Sequence, residues 1–598
     1  MIKLEENPDV LSFEISVNGQ VLDSTVEIIS IQIEQELNRI SSAMIRISDG
    51  GAFGVSNELF SNSDGEDFVP GNDIEISLGY GDKRKSVFKG IVLSQRLMVK
   101  KSTSYLQILC KDKAFLLTKS RSNMIMDSSS DDELFKSLAS KAGVSIESAS
   151  SEKLLYPLVQ HNSTDWDYLV IRSEISNFYV VTDSNKLVIK KFDFSESAVA
   201  NLSADSVAIE VDLDLNGENL YSDFEFNAWD SSSQEIIQNK GGLADGISQG
   251  NLSAVKIASD LNMPAMNKYA SAELVQSELV AYTNSWISKT MLSKIQGKIK
   301  VPGTSSVKVG ELIELSNFSK RFNGKAFVSK IINQVEEGSW LTTLFLGMNS
   351  RWHSSLPDIE DDDAIGLLPA ARGMQIGKVK KIDADPSDSF RVQVELPTSS
   401  NADQKNTIWA RIAFPYASSD AGFFFFPEIG DEVLISFLGN DPRFPVITGS
   451  LYSPKNVPKH TPSEKNEFKS IFSKSGISIT FDDDKKILTA ETPGGHSAVF
   501  SDDDKSITLK DSNGNEFVLN DSGVKISSVK DITLDAQGSV SISANQDIKL
   551  SASGGDLKGE GLNVEMSGQI GFKGKGSATA ELSASGQTTV KGSIVMIN

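Results

Sequence analysis

The chain has 598 residues, a formal net charge of −22, ordinary hydrophobic content and one cysteine, Cys110. That length supplies several cores, and the charge disfavours nucleic acid as a partner, because phosphates call for Lys/Arg patches. One cysteine leaves no intrachain disulfide, no run approaches the ~18 apolar residues of a spanning helix, and MIKLEENPDV lacks the basic and apolar regions of an export signal.

Residues 1–350 mix strands and helices. Strand patterns cover Glu14–Val17, Asp73–Leu78, Tyr105–Leu109 and Lys186–Ile189. SSDDELFKSLASKAG predicts a helix: Ser130 caps it, Glu133 sits three residues on, and Leu134, Phe135, Leu138 and Ala142 form one stripe. STDWDYLVIRSEIS repeats that relation with Thr164 and Asp167. ASAELVQSELVAYTNSWISKTML predicts a third helix, with Val275, Leu279, Tyr282 and Trp286 on the helical period. Strands return at Val307–Leu315 and Ala326–Val335. PDIEDDDAIGLLPAARG, 357–373, reads as an acidic linker.

Residues 374–452 combine strands with Gly/Pro turns, the pattern of a small barrel. Within them Phe423, Phe424, Phe425 and Phe426 stand in a row. Successive side chains of a strand point to opposite faces. One pair is therefore expected inside the barrel, with Val433, Ile435 and Phe437, and the other against a neighbouring barrel or the part before it. A neck rich in Pro, Ser and Lys occupies 453–475.

The tail, 476–598, carries a repeat. Val524, Ile532, Val540 and Ile548 are eight apart, and so are Ile526, Leu534, Ile542 and Leu550. The first series continues through Val564 and Phe572 with Asp556 as a defect; the second continues through Met566 with Lys558 and Gly574 breaking it. The two apolar positions of each octad are two apart and share a strand face. One octad buries too little to stand alone. The economical solution winds three chains together with the aliphatics on the axis. One strand layer per octad, about 4.8 Å, gives this tail a length of roughly 70 Å. DDDK occurs at 482–485 and 502–505, in expected turns. A calcium site there is conceivable from the clustered carboxylates, and solvated turns account for them more simply.

His161, His353, His460 and His496 are scattered and have no cysteine partner at ligand spacing, so a zinc site is not expected. GFKGKGS, 571–577, lies among the octads and not at the helix N-terminus a phosphate cradle needs. No catalytic, cofactor-binding or metal-binding residue is assigned.

GMQIGKVKKIDADPSDSFRVQVELP, WARIAFP and FFFFPEIGDEVLISFLGNDPRFPVITGSLY, in this order, resemble the OB-fold module of VgrG spike proteins. The matching positions include Asp385 and Pro386, Arg391, Val392 and Val394, Trp409 and Arg411, Pro427, Glu428, Gly430, Asp431, Glu432 and Val433, and Gly449 and Ser450. The turn GNDP, with Asp441 and Pro442, departs slightly from the family's GDP. VQHNSTDWDYLVIRSEIS, and VKVGELIEL followed by FNGKAFVSKI, resemble the family's hub, and the octads ending in GSIVMIN resemble its needle. VPGNDIEISLGYGDKRKSVFKGIV with LQILCKDKAFLL looks most like the spikes of extracellular, tailocin-like contractile injection systems; type VI secretion and phage hub–spikes share the architecture.

The resemblance implies a mainly β homotrimer with an α+β hub. A hub of two β-barrels with helical inserts would span 1–356, followed by the linker, an OB-fold collar (374–452), the neck, and an intertwined triple-stranded β-helix, or β-prism, needle (476–598). Implied partners are inner-tube and baseplate proteins, possible cargo effectors, and a PAAR-repeat tip protein docked on Ser593, Ile594, Val595, Met596, Ile597 and Asn598. The protein would be no enzyme, take no cofactor, integrate into no membrane, and be assembled in the bacterial cytoplasm without a signal peptide. The neck between Tyr452 and Gly476 is too short for the lysozyme of some phage spikes. Two other classes compete. A trimeric surface adhesin would need an anchor, and a β-helical polysaccharide-degrading enzyme would need converging catalytic side chains.

Overall fold

In Ser42–Ser48 and Ser104–Lys111 every second residue from Ala43 and from Leu106 is buried, the alternation of strands packed on one face. A computed structural model describes residues 2–3, 10–50, 60–100, 104–127, 129–154, 156–205, 208–243, 246–397 and 406–597. It divides into two units, 1–451 and 452–598.

The first unit is built on a 14-stranded sheet. Its 13-residue strand Gly324–Glu336 pairs with Ile28–Glu36, with Leu312–Ser316 and with Ser339–Leu346. The expected pair of hub barrels is thus two lobes of one continuous sheet that share this strand. Each lobe has its own core: Ile31, Ile45, Ile76, Phe88 and Ile108 in one, Ile299, Ile313, Phe327 and Leu344 in the other.

The helical inserts pack beside the lobes. Helix α1 (Asp131–Ala142) has the expected Ser130/Glu133 capping box and ends on Gly143 in the left-handed region, φ 65°. Helix α2 (Asp165–Ile175) is capped by Thr164, whose hydroxyl accepts from the Asp167 N–H. A short helix, α3 (Ala254–Asp260), was not expected; its signal is Ser253, which accepts from the Lys256 N–H. The third expected helix, α4, covers only Gln276–Leu292. Val275 is its N-cap, and Met266–Glu273 before it is a strand paired in parallel with Asp223–Asp230. The strand expected at Val307–Leu315 is confined to Leu312–Ser316. Gly310, at φ 89°, breaks the run and donates its N–H to the Val328 carbonyl.

One buried carboxylate gives the hub a pH dependence. Asp112 caps the 3₁₀ turn Lys113–Thr118 and accepts from the N–H groups of Ala114 (2.9 Å) and Asn185 (2.7 Å). Burial pushes its pKa up to about 6 against those hydrogen bonds. The folded pKa lies above the unfolded one, so the stabilisation is complete below about pH 4 and is lost as pH rises through 6. Wild-type hub stability is expected to fall by about 2 kcal/mol from this group between those limits. Asp112→Asn should flatten that part of the pH profile in urea titrations; an unchanged slope would refute the assignment.

Residues 375–450 form a closed five-stranded barrel from Gln375–Lys381, Val392–Glu395, Thr407–Ile412, Glu432–Phe437 and Pro445–Ser450. Val379, Val392, Val394, Val433, Ile435 and Phe437 are in its core. Its motif residues build loops. Asp385 accepts from the N–H groups of Ser387, Ser389 and Arg391 and holds the Arg391 guanidinium at 2.6 Å. Arg391 beside it keeps the Asp385 carboxyl far below the usual carboxylate range.

The second unit begins with a seven-stranded antiparallel meander, from Phe468–Phe472 to Gly523–Ser527. The DDDK segments occupy turns of this meander, as expected. After Ser527 no strand pairing occurs within the chain among the described residues.

Candidate assembly surfaces

The meander sorts its side chains by register. Phe481, Leu488, Phe500, Ile507, Leu519 and Val524 lie opposite one another across successive strands, and so do Ile479, Ala490, Ala498, Leu509, Phe517 and Ile526. Positions two apart share a face, so both rows line one side. The other side carries Ser478, Glu491, Ser497, Lys510, Glu516 and Ser527. The apolar rows end on Val524 and Ile526, the first pair of the octad series, and both residues are exposed.

Beyond them the backbone bends at 529–530, 537–538, 545–546, 553–555, 562, 569–570, 577–578, 585–586 and 593–594. The bends keep the octad spacing. The apolar pairs Ile532 and Leu534, Val540 and Ile542, Ile548 and Leu550 follow three and five residues after each bend begins. These six, with Val564, Met566 and Phe572, are all exposed in the single chain. Their N–H and C=O groups need partners, and among the described residues the chain supplies no strand partner for them.

At the break in the apolar series the bend covers 553–555 and the next is at 562, and Asp556 and Lys558, both exposed, pair with each other at 3.4 Å.

The phenylalanines correct an expectation. Residues 423–428 are a loop leading into the barrel strand, not a strand. Only Phe426 packs against the barrel core. Phe424 meets it in a tilted contact, ring centroids 4.9 Å apart, yet is 82% exposed, and Phe423 and Phe425, 6.2 Å apart, are exposed as well. The period-two pairing holds, but no pair enters the barrel, because Val433, Ile435 and Phe437 already fill it. At the far end of the octads Ile594, Val595, Met596 and Ile597 are exposed, and Ser593 lies in a bend. Asn598 lies outside the described residues.

The hub holds a buried charge cluster that sequence reading did not single out. Lys289 donates to Glu174 at 2.6 Å and to the Arg351 carbonyl at 3.0 Å. Arg172 donates to Asp131 and to Glu278, each at 2.9 Å. Burial lowers the Lys289 pKa against the pull of Glu174. Burial also opposes the Arg172 charge, and Asp131 and Glu278 outweigh it, so its pKa is raised. The signal was present: Arg172 follows Leu169 by three residues on α2, and Lys289 follows Tyr282 and Trp286 by seven and three on α4. His353, also buried, meets Asp167 at 2.9 Å. No group of three metal-ligating side chains occurs among the described residues.

Comparison with known proteins divides the chain as its pieces do. Residues 7–337 match the Alg8 N-terminal domain, 375–452 the type VI secretion system/phage-baseplate injector OB domain, and 486–598 the phage baseplate V C-terminal trimerisation domain. The type VI secretion system spike protein VgrG1a of Pseudomonas aeruginosa is 29% identical over 150 residues, 23% of this chain and 23% of its own length. VgrG1c of the same organism is 24% identical over 218 residues, 33% of this chain and 29% of its own. The actin cross-linking toxin VgrG1 of Vibrio cholerae is 38% identical over 73 residues, 12% of this chain and 7% of its own. The chain thus spans less than a third of the length of each of these curated relatives. Among solved structures, the 43 kDa tail protein of prophage MuSo2 from Shewanella oneidensis aligns with TM-score 0.44 and 10% identity, covering 57% of this chain and 98% of that one. Matched over more than half its length by the first of these domains, the chain belongs to the Alg8 N-terminal domain family, and it carries after that domain a match to an injector OB domain and one to a baseplate trimerisation domain.

Proposed function

We propose that the chain is the structural spike of a contractile injection machine, a homotrimer that joins an inner tube to a puncturing needle. One observation carries the reading: apolar rows on one face of the paired meander lead into octads whose aliphatics are exposed in one chain and which, among the described residues, pair with no strand of it. Three chains wound together cover that face and pair those strands. Burying each large aliphatic contributes roughly 1.5–3 kcal/mol, and closed winding leaves few free edges. The product is stiff along its axis, as a part driven through an envelope must be. The trimerisation domain matched at 486–598 supports the same assembly. The spike makes and breaks no bond. The runner-up homes are a type VI secretion apparatus and a phage baseplate, which differ in the machine and not in the part.

The test is mass. Purified full-length protein should scatter light as three 64.8 kDa chains, with a tail that stays trimeric in SDS and heat. A monomeric tail would end the needle reading, and reproducible hydrolysis of peptidoglycan, glycans or lipids would end the non-enzymatic one.

The terminal stretch Ser593–Asn598, exposed from Ser593 to Ile597, is assigned as the platform for a tip protein of the PAAR-repeat kind, held by backbone pairing on open strand edges. Deleting residues 591–598 should leave the trimer folded and abolish co-purification of the tip protein from assembled particles. Retention of the tip by the truncated spike would refute this platform. Imaging of the particle would place tube and baseplate proteins against the hub.

A further inference from the structure

The acidic stretch between hub and barrel reads as a linker from its sequence, yet it is fastened along its length. His353 just before it donates its N–H to Glu174 at 2.8 Å and meets Asp167 at 2.9 Å. The Arg121 guanidinium then takes three successive carbonyls: Nη2 donates to Asp358 (3.0 Å) and Glu360 (3.3 Å), and Nη1 to Ile359 (2.6 Å). Nη1 also donates to the Asn162 carbonyl at 2.8 Å. Asn162 Nδ2 donates to the Asp361 carboxylate at 3.0 Å. On the barrel side, Asn440 Nδ2 donates to Asp363 at 2.8 Å, and the Ala371 N–H donates to the Asn440 carbonyl at 2.8 Å.

Directly after Asp363 the backbone is strained. Ala364, Ile365 and Gly366 are all left-handed, at φ 52°, 56° and 67°. L-residues visit this region singly, and a β-branched residue there is an outlier. Ile365 is 82% exposed, so its own packing does not offset the strain. Such a conformation persists only where the surroundings over-determine it. The fastenings on both sides meet that condition.

We propose that Arg121 clamps this segment into a rigid strut that couples hub to barrel. A planar guanidinium presents several donors in a fixed fork, which a lysine ammonium cannot reproduce. Its charge also offsets the mutual repulsion of Asp358, Glu360, Asp361, Asp362 and Asp363, which would otherwise extend and loosen the stretch. Arg121 is a positioning residue: it acts by holding main chain. In the proposed spike, a stiff strut carries axial load between hub and barrel without a hinge.

Hydrogen exchange by mass spectrometry on the full-length protein tests this. In Arg121→Ala, peptides from 357–372 should lose protection at least tenfold, while Ser42–Ser48 and Ser104–Lys111 keep theirs. Arg121→Lys should resemble Arg121→Ala, because the fork is lost and the charge kept. Asn440→Asp, which sets a carboxylate against Asp363, should loosen the same peptides from the barrel side with Arg121 intact. Unchanged protection of 357–372 in Arg121→Ala, full protection in Arg121→Lys, or loss spread evenly through the hub strands would each overturn the clamp. The readout lies within one chain, so a negative result counts against the strut and leaves the trimer standing.

Discussion

Ile542→Asp yields a chain that no longer scatters light as a trimer and whose tail melts in SDS. Ile542 is 67% exposed in the single chain. It occupies the same octad place as Ile526, Leu534 and Leu550. In the proposed threefold winding, three copies of that place meet on the axis, where each aspartate would lose its water and face two like charges. Desolvating a carboxylate costs several kcal/mol even after relaxation, so three cost on the order of 10 kcal/mol per trimer. The lost aliphatic burial adds roughly 1.5–3 kcal/mol per chain. No rearrangement within one octad relieves this, because the neighbouring layers hold the register. Ser541→Asp is the control. It adds the same charge one residue earlier, on the other strand face, and should leave the trimer intact. An Ile542→Asp protein that remains trimeric and heat-resistant would show that these aliphatics do not meet on an axis.

Legibility followed the range of the physics. Ser130 with Glu133, and Thr164 with Asp167, announced α1 and α2 because capping is settled within four residues. The octads were legible because their period is local and their bends repeat it. The three-residue bend at 553–555 was not, since only the backbone shows it. The sharing of Gly324–Glu336 between two lobes rests on pairings some 300 residues apart in sequence, such as Lys330 with Glu36, and no local pattern encodes them. The phenylalanine row misled for the same reason. Its period-two pairing is local, but whether a pair enters the barrel depends on the volume that Val433, Ile435 and Phe437 already occupy. Composition read 357–373 as a linker because carboxylates favour solvent. The Arg121 side chain that pins it lies more than 200 residues earlier.

Lys289→Met should destabilise the hub about as much as the severest single truncation of its aliphatic core. Lys289 is 1% exposed and spends its charge on Glu174, which is buried too. Its ammonium also lies 4.7 Å from the Trp352 ring centroid, where a cation is attracted by the aromatic face. Methionine matches the length of the lysine stem, so packing is largely kept and the change isolates the charge. What remains is a carboxylate with hydrogen bonds from Asn38 Nδ2 (3.2 Å) and the His353 N–H (2.8 Å) but no cation of its own. Breaking one partner of a buried pair costs about 3–5 kcal/mol. The double variant Lys289→Met with Glu174→Gln removes the stranded charge and leaves an acceptor for one of those donors. It should recover more than half of the loss, the non-additivity expected of directly coupled residues. Urea unfolding followed by tryptophan emission reads the change, because Trp286 and Trp352 stack at 5.1 Å beside the pair. A single variant within about 1 kcal/mol of wild type would remove the ion pair from the account of what holds the hub together.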